Sequence, residues 1–288
     1  INVGQLATWE QSRYRMGDIV GQLGLEHAHD GLLSGFAGEE ETIVNSAGRT
    51  IRVLNQIPPE PGHTLTLTLD VRLQQQADAL LEGKKGAIVI LDVNTGGTLA
   101  LASAPTFDPN MFARRFSQAE WNAVTNDPAA PLQNRALQSA YPPGSIFKLL
   151  MAVAGLEAGR IKPETTVNCT GGGIYYGQYR SCNAVHGTVN LESAIGRSCN
   201  VYFYDLGSKL SREQIVEVAQ RYGLGARSGI DLLNEATGIL PTDEWITQAL
   251  PPRDGNWYSG ETIGLSIGQG PINTTPLQLA QMVAALAT

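Results

Sequence analysis

Pro142-Pro143-Gly144-Ser145-Ile146-Phe147-Lys148 runs directly into Leu149-Leu150-Met151-Ala152-Val153-Ala154. Pro-Pro-Gly makes a rigid entry, and the apolar run that follows predicts a buried helix over 145–158, closed by Gly159. Ser145 and Lys148 lie three residues apart, so on a helix they share a face. A serine hydroxyl is a poor nucleophile unless a base takes its proton. Lys148 is embedded among Ile146, Phe147, Leu149 and Leu150, and an apolar setting disfavours the ammonium form. The free N–H groups at the start of such a helix can face a developing oxyanion. The pattern points to acyl transfer through a serine ester. The bland alternative is a surface serine with a snorkelling lysine, and the spacing by itself does not separate the two.

Ser198-Cys199-Asn200 supplies a second element. A serine there can relay a proton to or from Lys148, and an asparagine can hold both the lysine and a substrate amide. A second S-x-N, Ser181-Cys182-Asn183, falls in a Gly- and Tyr-rich stretch and reads as a coincidence.

The rest of the chain supplies the scaffold. Its 288 residues are 42% hydrophobic and 16% charged, a globular composition. The net charge of -7 gives no support to a nucleic-acid partner. Pro58-Pro59-Glu60-Pro61-Gly62 reads as a linker, dividing residues 1–62, short strands and loops, from residues 63–288. Thr64 to Leu69 alternates strictly and predicts a half-buried strand. Asp70 predicts a cap for a helix over 71–82. Residues 87–92 and 98–103 predict a hairpin around Asn94-Thr95-Gly96-Gly97, with Asp92 in turn chemistry. Residues 171–187 read as loop and 191–206 as mostly helical. Ser211 and Gln214 predict a capping box, and 263–270 reads as a loop before a final helix opened by Thr275-Pro276. The fold class is α/β, of the α+β type, with an antiparallel sheet flanked by helices.

Three cysteines, Cys169, Cys182 and Cys199, match no familiar zinc spacing and no CxxC motif. Cys169 and Cys182 can pair in an oxidising compartment; otherwise all three are reduced and partly buried. His27, His29 and Asp30 read as solvated surface rather than metal ligands, and His186 as a structural loop residue. Trp121, Trp245 and Trp257 read as packing. Neither a metal nor an organic cofactor is expected.

Taken together these residues resemble the class B penicillin-binding proteins. Ser145/Lys148 matches that family's first motif and Ser198/Asn200 its second, in the expected order. Similar stretches include 86–92, 103–110, Ser266-Ile267-Gly268-Gln269-Gly270 and Thr275-Pro276-Leu277-Gln278. Gly24-Leu25-Glu26 and 33–38 look like the end of the family's N-terminal pedestal. The Ser-Cys-Asn-Val-Tyr-Phe-Tyr and Ser-Ile-Gly-Gln-Gly versions favour the elongation-type subgroup, penicillin-binding protein 2. The resemblance implies a serine penicillin-recognising transpeptidase fold and peptidoglycan D,D-transpeptidation. Its catalytic residues would be Ser145, Lys148, Ser198 and Asn200, with Asn200 also binding substrate. It implies stem peptides, β-lactam antibiotics and a membrane glycosyltransferase as partners. The expected location is the extracytoplasmic face of the bacterial cytoplasmic membrane. The same motifs would serve a D,D-carboxypeptidase, a β-lactamase or a non-catalytic penicillin sensor. The family's third motif, K-T-G, is not present. The expectation is therefore a fragment: two strands of a five-strand sheet with an open edge, reduced stability, and slow or no acylation by penicillin.

Overall fold

The computed structural model describes residue 14 and residues 18–114, 117–249 and 256–288. The part of the N-terminal reading that falls on 1–13 and 15–17 lies outside the described residues. The chain divides into two compact units, one of residues 1–68, 109–116 and 230–233, the other of 69–108, 117–229 and 234–288.

The smaller unit contains two short helices, α1 (Gly24–Ala28) and α2 (Asp30–Leu33), and an antiparallel ribbon of β1 (Glu39–Val44) and β2 (Thr50–Ile57). Asp30 is buried and accepts the Gly21 N–H at 2.8 Å and the Tyr14 hydroxyl. His27 bonds the Gly21 carbonyl and His29 pairs with Asp231. Each of these three side chains thus has its own partner, and they form no metal-ligand group among the described residues.

The larger unit opens with α3 (Val71–Leu81), whose N-terminus is capped by Asp70 through the N–H groups of Arg72 and Leu73 at 2.8 and 3.3 Å. It packs on a hairpin of β3 (Gly86–Leu91) and β4 (Thr98–Ala104), and the C-terminal helix lies against β3. Ala77, Leu81, Ala100, Ala102 and Ala104 form the small core between α3 and the hairpin. Asp92 accepts from Asn94 N–H and Thr95 Oγ1, the turn chemistry expected of it.

Helix α4 (Gln118–Thr125) follows, with a Ser117–Glu120 capping box. A 3-10 turn (Gly144–Phe147) then leads without a break into α5 (Lys148–Glu157). Short strands β5 (Val167–Cys169), β6 (Gly172–Tyr175), β7 (Gln178–Ser181) and β8 (Gly187–Val189) come next. They precede α6 (Leu191–Gly196), α7 (Asn200–Gly207), α8 (Arg212–Arg221), α9 (Asp243–Ala249), α10 (Ser259–Leu265) and α11 (Pro276–Ala287). The main core is built where α5, α7 and α8 meet, with Phe147, Leu150, Met151, Tyr202, Phe203, Leu206 and Ile215 all buried. Gly159, at φ 62°, terminates α5 in the left-handed conformation that glycine adopts without a Cβ penalty.

Four local readings change. Residues 64–69 carry the alternation but are not assigned as a strand. Residues 171–187 are not loop but largely sheet, because Tyr176-Gly177, both at positive φ, turn β6 back on β7 while β5 pairs with β8. The 191–206 helix is two helices, split where Ser198 takes φ 52°. The supposed loop over 263–270 begins inside α10, and the turn proper starts at Ser266.

Candidate active site

Ser145 is the second residue of the 3-10 turn, and Lys148 is the first residue of α5. Phe147 and Leu150 are fully buried on the same segment, so apolar packing holds the turn while Ser145 stays exposed. The turn is pinned from a second direction. The Gly144 N–H donates to the Gly268 carbonyl at 3.0 Å. A Cβ on Gly268 would lie 2.2 Å from the Gly144 carbonyl oxygen, and Gly268 itself has φ 71°. Only glycine permits that approach, which accounts for the Ser266-Ile267-Gly268-Gln269-Gly270 stretch singled out above.

Lys148 is 2% exposed. Its Nζ donates to three oxygens: Ser198 O at 2.9 Å, Ser198 Oγ at 2.9 Å and Asn200 Oδ1 at 2.6 Å. It also lies 5.6 Å from the centre of the Phe203 ring. Burial pushes the amine below the ordinary lysine pKa, opposed by the negative charge that Cys182 and Cys199 take on when ionised. Ser198 Oγ in turn donates to Ser145 Oγ at 2.8 Å. The shared helical face therefore brings Ser145 and Lys148 to the same place without a direct hydrogen bond between them. Ser198 is the link. The chain Lys148 to Ser198 to Ser145 is drawn with the amine charged and donating. A neutral amine reverses every bond in it and draws the proton from Ser145.

Ser198 reaches this position through its positive φ, which ends α6 abruptly and lets α7 start at Asn200. The second S-x-N takes no part. Ser181 carries the carbonyl that accepts Tyr204 OH at 3.3 Å, and Asn183 Nδ2 donates to the Arg197 carbonyl at 3.5 Å.

Spacing along the chain concealed one further cluster. Cys169, Cys182, His186 and Cys199 offer ligand atoms that all lie within 4.8 Å of one another. His186 Nδ1 is 3.6 Å from both the Cys169 and Cys182 sulfurs, and the cysteines are unbridged. Three sulfurs and one imidazole are a familiar tetrahedral Zn²⁺ donor set, and bonds of about 2.0–2.3 Å place such ligand atoms roughly 3.5–3.8 Å apart. Burial disfavours the Cys182 thiolate, but the backbone N–H groups of Val201, Ala184 and Asn200 outweigh it and bring that thiol down to about 6. For Cys199 burial outweighs the one backbone N–H that supports its thiolate, from Tyr202, and with the neighbouring cysteines Cys169 and Cys182 pushes it up to about 12. The residues thus fit a bound zinc, which would fasten the β5–β8 ribbon to Cys199, between Ser198 and Asn200. The signal in the sequence was Cys182-x-x-x-His186; the other two ligands join it only once β5 pairs with β8 and α7 begins.

The remaining candidates have structural roles. Trp257 packs on the main core and donates its indole N–H to Thr262 Oγ1 at 2.8 Å. Arg212, buried against it, bonds the Pro241 carbonyl and pairs with Glu213 and Asp243.

Comparison with known proteins bears on the family of the chain. The model of the penicillin-binding protein transpeptidase domain matches residues 86–288, and that of the penicillin-binding protein dimerisation domain matches residues 1–67. Peptidoglycan D,D-transpeptidase MrdA of Escherichia coli K12 is 38% identical over 99% of this chain and 44% of its own length. The Acinetobacter baumannii MrdA is 35% identical over all of this chain and 43% of its own length. The structure of Pseudomonas aeruginosa PBP2 in complex with WCK 5153 superposes with a TM-score of 0.87 at 36% identity, covering all of this chain and 60% of that one. The complex of Helicobacter pylori PBP2 with MreC gives 0.89 at 33%, covering all of this chain and 53% of that one. The chain spans less than half the length of the two MrdA relatives. On the transpeptidase match, which covers well over half of its residues, the chain belongs to the penicillin-binding protein transpeptidase family.

Proposed function

We propose that this protein is a peptidoglycan D,D-transpeptidase of the elongation type, with Ser145 as nucleophile, Lys148 as base, Ser198 as relay and Asn200 as positioning group. The observation that carries the reading is the unbroken hydrogen-bond chain from Ser145 Oγ through Ser198 Oγ to a buried Lys148 Nζ. As Ser145 Oγ attacks the carbonyl carbon of a D-Ala–D-Ala amide, its proton passes to Ser198 and that of Ser198 to neutral Lys148. The Gly144 N–H is already taken by Gly268, so the Ser145 N–H is the donor left on the turn for the oxyanion. Collapse breaks the C–N bond, the proton returns along the chain to the leaving nitrogen, and D-alanine departs. An amine from a second stem peptide then attacks the ester, and its proton restores the Ser145 hydroxyl. Asn200 holds the lysine through Oδ1, which leaves Nδ2 to face a substrate amide.

The names of the relatives support stem peptides as substrate. The MreC and peptidoglycan synthase complexes of related proteins support membrane-associated partners, a glycosyltransferase among them, on the extracytoplasmic face of the cytoplasmic membrane. No helix among the described residues is long and apolar enough to cross a membrane. The division proposed is a pedestal over residues 1–62 and a transpeptidase domain from 63 onward.

The test uses the full-length protein with fluorescent penicillin and with D-Ala–D-Ala stem peptides. Covalent label on the Ser145 peptide, lost in Ser145→Ala, and cross-linked product are expected. Free acid as the sole product would make it a hydrolase; labelling with no turnover of stem peptide would make it a sensor. Label on any other residue removes the assignment of Ser145.

A further inference from the structure

Helix α7 opens on Asn200, and Tyr204 follows four residues later, one turn along the same face. Tyr204 is 5% exposed. Its ring packs on that of Tyr175 with 5.4 Å between centres, and its hydroxyl donates to the Ser181 carbonyl of β7 at 3.3 Å. Burial pushes the phenol above its ordinary pKa, so the hydroxyl keeps its proton for Ser181. The Asn200 side chain is a further hydrogen-bond partner of the same hydroxyl. A hydroxyl whose one proton is already given can only accept. Tyr204 therefore calls for a donor from Asn200, which is the Nδ2 end of the amide.

The other end of that amide meets the base. Lys148 Nζ has the Ser198 carbonyl at 2.9 Å, Asn200 Oδ1 at 2.6 Å and Ser198 Oγ at 2.9 Å. A neutral amine has two protons and one lone pair. With its protons on the two carbonyl oxygens, its lone pair is left for Ser198 Oγ, where proton transfer needs it. An amide turned the other way would present Nδ2 to the lysine. Its N–H would compete with Ser198 for the lone pair and disable the base. The two ends of an asparagine amide have nearly the same shape, so hydrogen bonds rather than packing choose between them.

We propose that Tyr204 is a positioning residue for the reaction at Ser145: it fixes the orientation of the Asn200 amide and through it aims the Lys148 lone pair at Ser198. One Nδ2 proton goes to Tyr204 and the other stays available to a substrate amide. The inference rests on the transpeptidase reading and adds a residue that lies outside both the S-x-x-K and the S-x-N motif.

Tyr204→Phe, which keeps the ring on Tyr175, tests it in the full-length protein, with acylation by fluorescent penicillin timed across a range of pH. The plateau rate should fall roughly 3- to 10-fold, what one net hydrogen bond is worth. The midpoint of the pH–rate profile should move to lower pH, because an amide free to turn its N–H onto the lone pair favours the neutral amine. Cys182 and Cys199, whose charge acts on Lys148 when they ionise, are unchanged by the substitution. A merely structural loosening does the opposite: it admits water, which favours the ammonium and raises the midpoint toward the ordinary lysine value. In an Asn200→Ala background the same substitution should change the rate by no more than about twofold, since Tyr204 then has no amide to orient. An upward midpoint, a plateau within about twofold of wild type, or an equal loss in the Asn200→Ala background overturns the role of Tyr204 while leaving the transpeptidase reading standing. The pH profile decides alone if Asn200→Ala is too slow to time. Absence of penicillin acylation in the wild type overturns both.

Discussion

Removing the Ser198 hydroxyl tests the catalytic geometry most directly. Among the described residues Ser145 Oγ has a single side-chain partner, Ser198 Oγ at 2.8 Å, and reaches Lys148 only through it. Ser198→Ala breaks that path. Lys148 keeps two of its three acceptors, the Ser198 carbonyl and Asn200 Oδ1, so the amine stays placed and the loss is confined to proton transfer. Positioned acid–base groups contribute about 10²–10⁴-fold. A water molecule can partly replace one hydroxyl, so the expected fall in the second-order rate of penicillin acylation is about 10²–10³-fold. Fluorescent penicillin added to the full-length protein, sampled over time and resolved on a gel, reads that rate. Ser198→Gly removes the same hydroxyl and also relieves the φ of 52°. It should show the same rate loss with a higher melting temperature, which separates catalysis from folding. In the wild type the rate should rise with pH as Lys148 loses its proton, and level off below the ordinary lysine pKa because burial lowers that of Lys148. The same shift makes the folded state bind fewer protons than the unfolded chain between the two pKa values, so stability rises with pH across that window. An acylation rate for Ser198→Ala within about threefold of wild type, too small for a positioned acid–base group, would sink the relay.

Gly268→Ala should cost about 3 kcal/mol or more, because a left-handed φ and a methyl 2.2 Å from the Gly144 carbonyl oxygen add to each other. A thermal melt unchanged by it would refute the close approach. Full-length protein purified without chelator should carry stoichiometric zinc. Stripping it, or replacing Cys182 with serine, should lower the melting temperature and slow acylation at Ser145 together. Metal-free protein with an undiminished melting temperature would exclude the zinc brace.

How much of this was legible from residue order depends on distance along the chain. Ser145 and Lys148 were visible because helical periodicity places residues three apart on one face, whatever else the chain does. Ser198 and Asn200 were visible as a motif, but their role in joining Ser145 to Lys148 depends on a positive φ at Ser198 that no propensity announces. The cysteine cluster was hidden because its four members meet only when two strands of three residues each pair. Composition read β6 and β7 as loop for a related reason: Gly and Tyr supply the turn and the packing, while the pairing is set by α7 beneath them. Residues 64–69 show the opposite failure, an alternation that is not assigned as a strand.

Ser198-Cys199-Asn200 serves two clients at once. Its outer residues turn to the lysine, and its middle residue turns to the sulfur cluster. For proton transfer alone position 199 could drift freely among small apolar residues. Here it is bound to the identities of three positions elsewhere in the chain. Among descendants of this sequence, replacement of Cys199 should be tolerated only alongside changes at 169, 182 or 186. Any route of adaptation that reshapes Ser198 by way of its neighbour would have to carry the whole cluster with it.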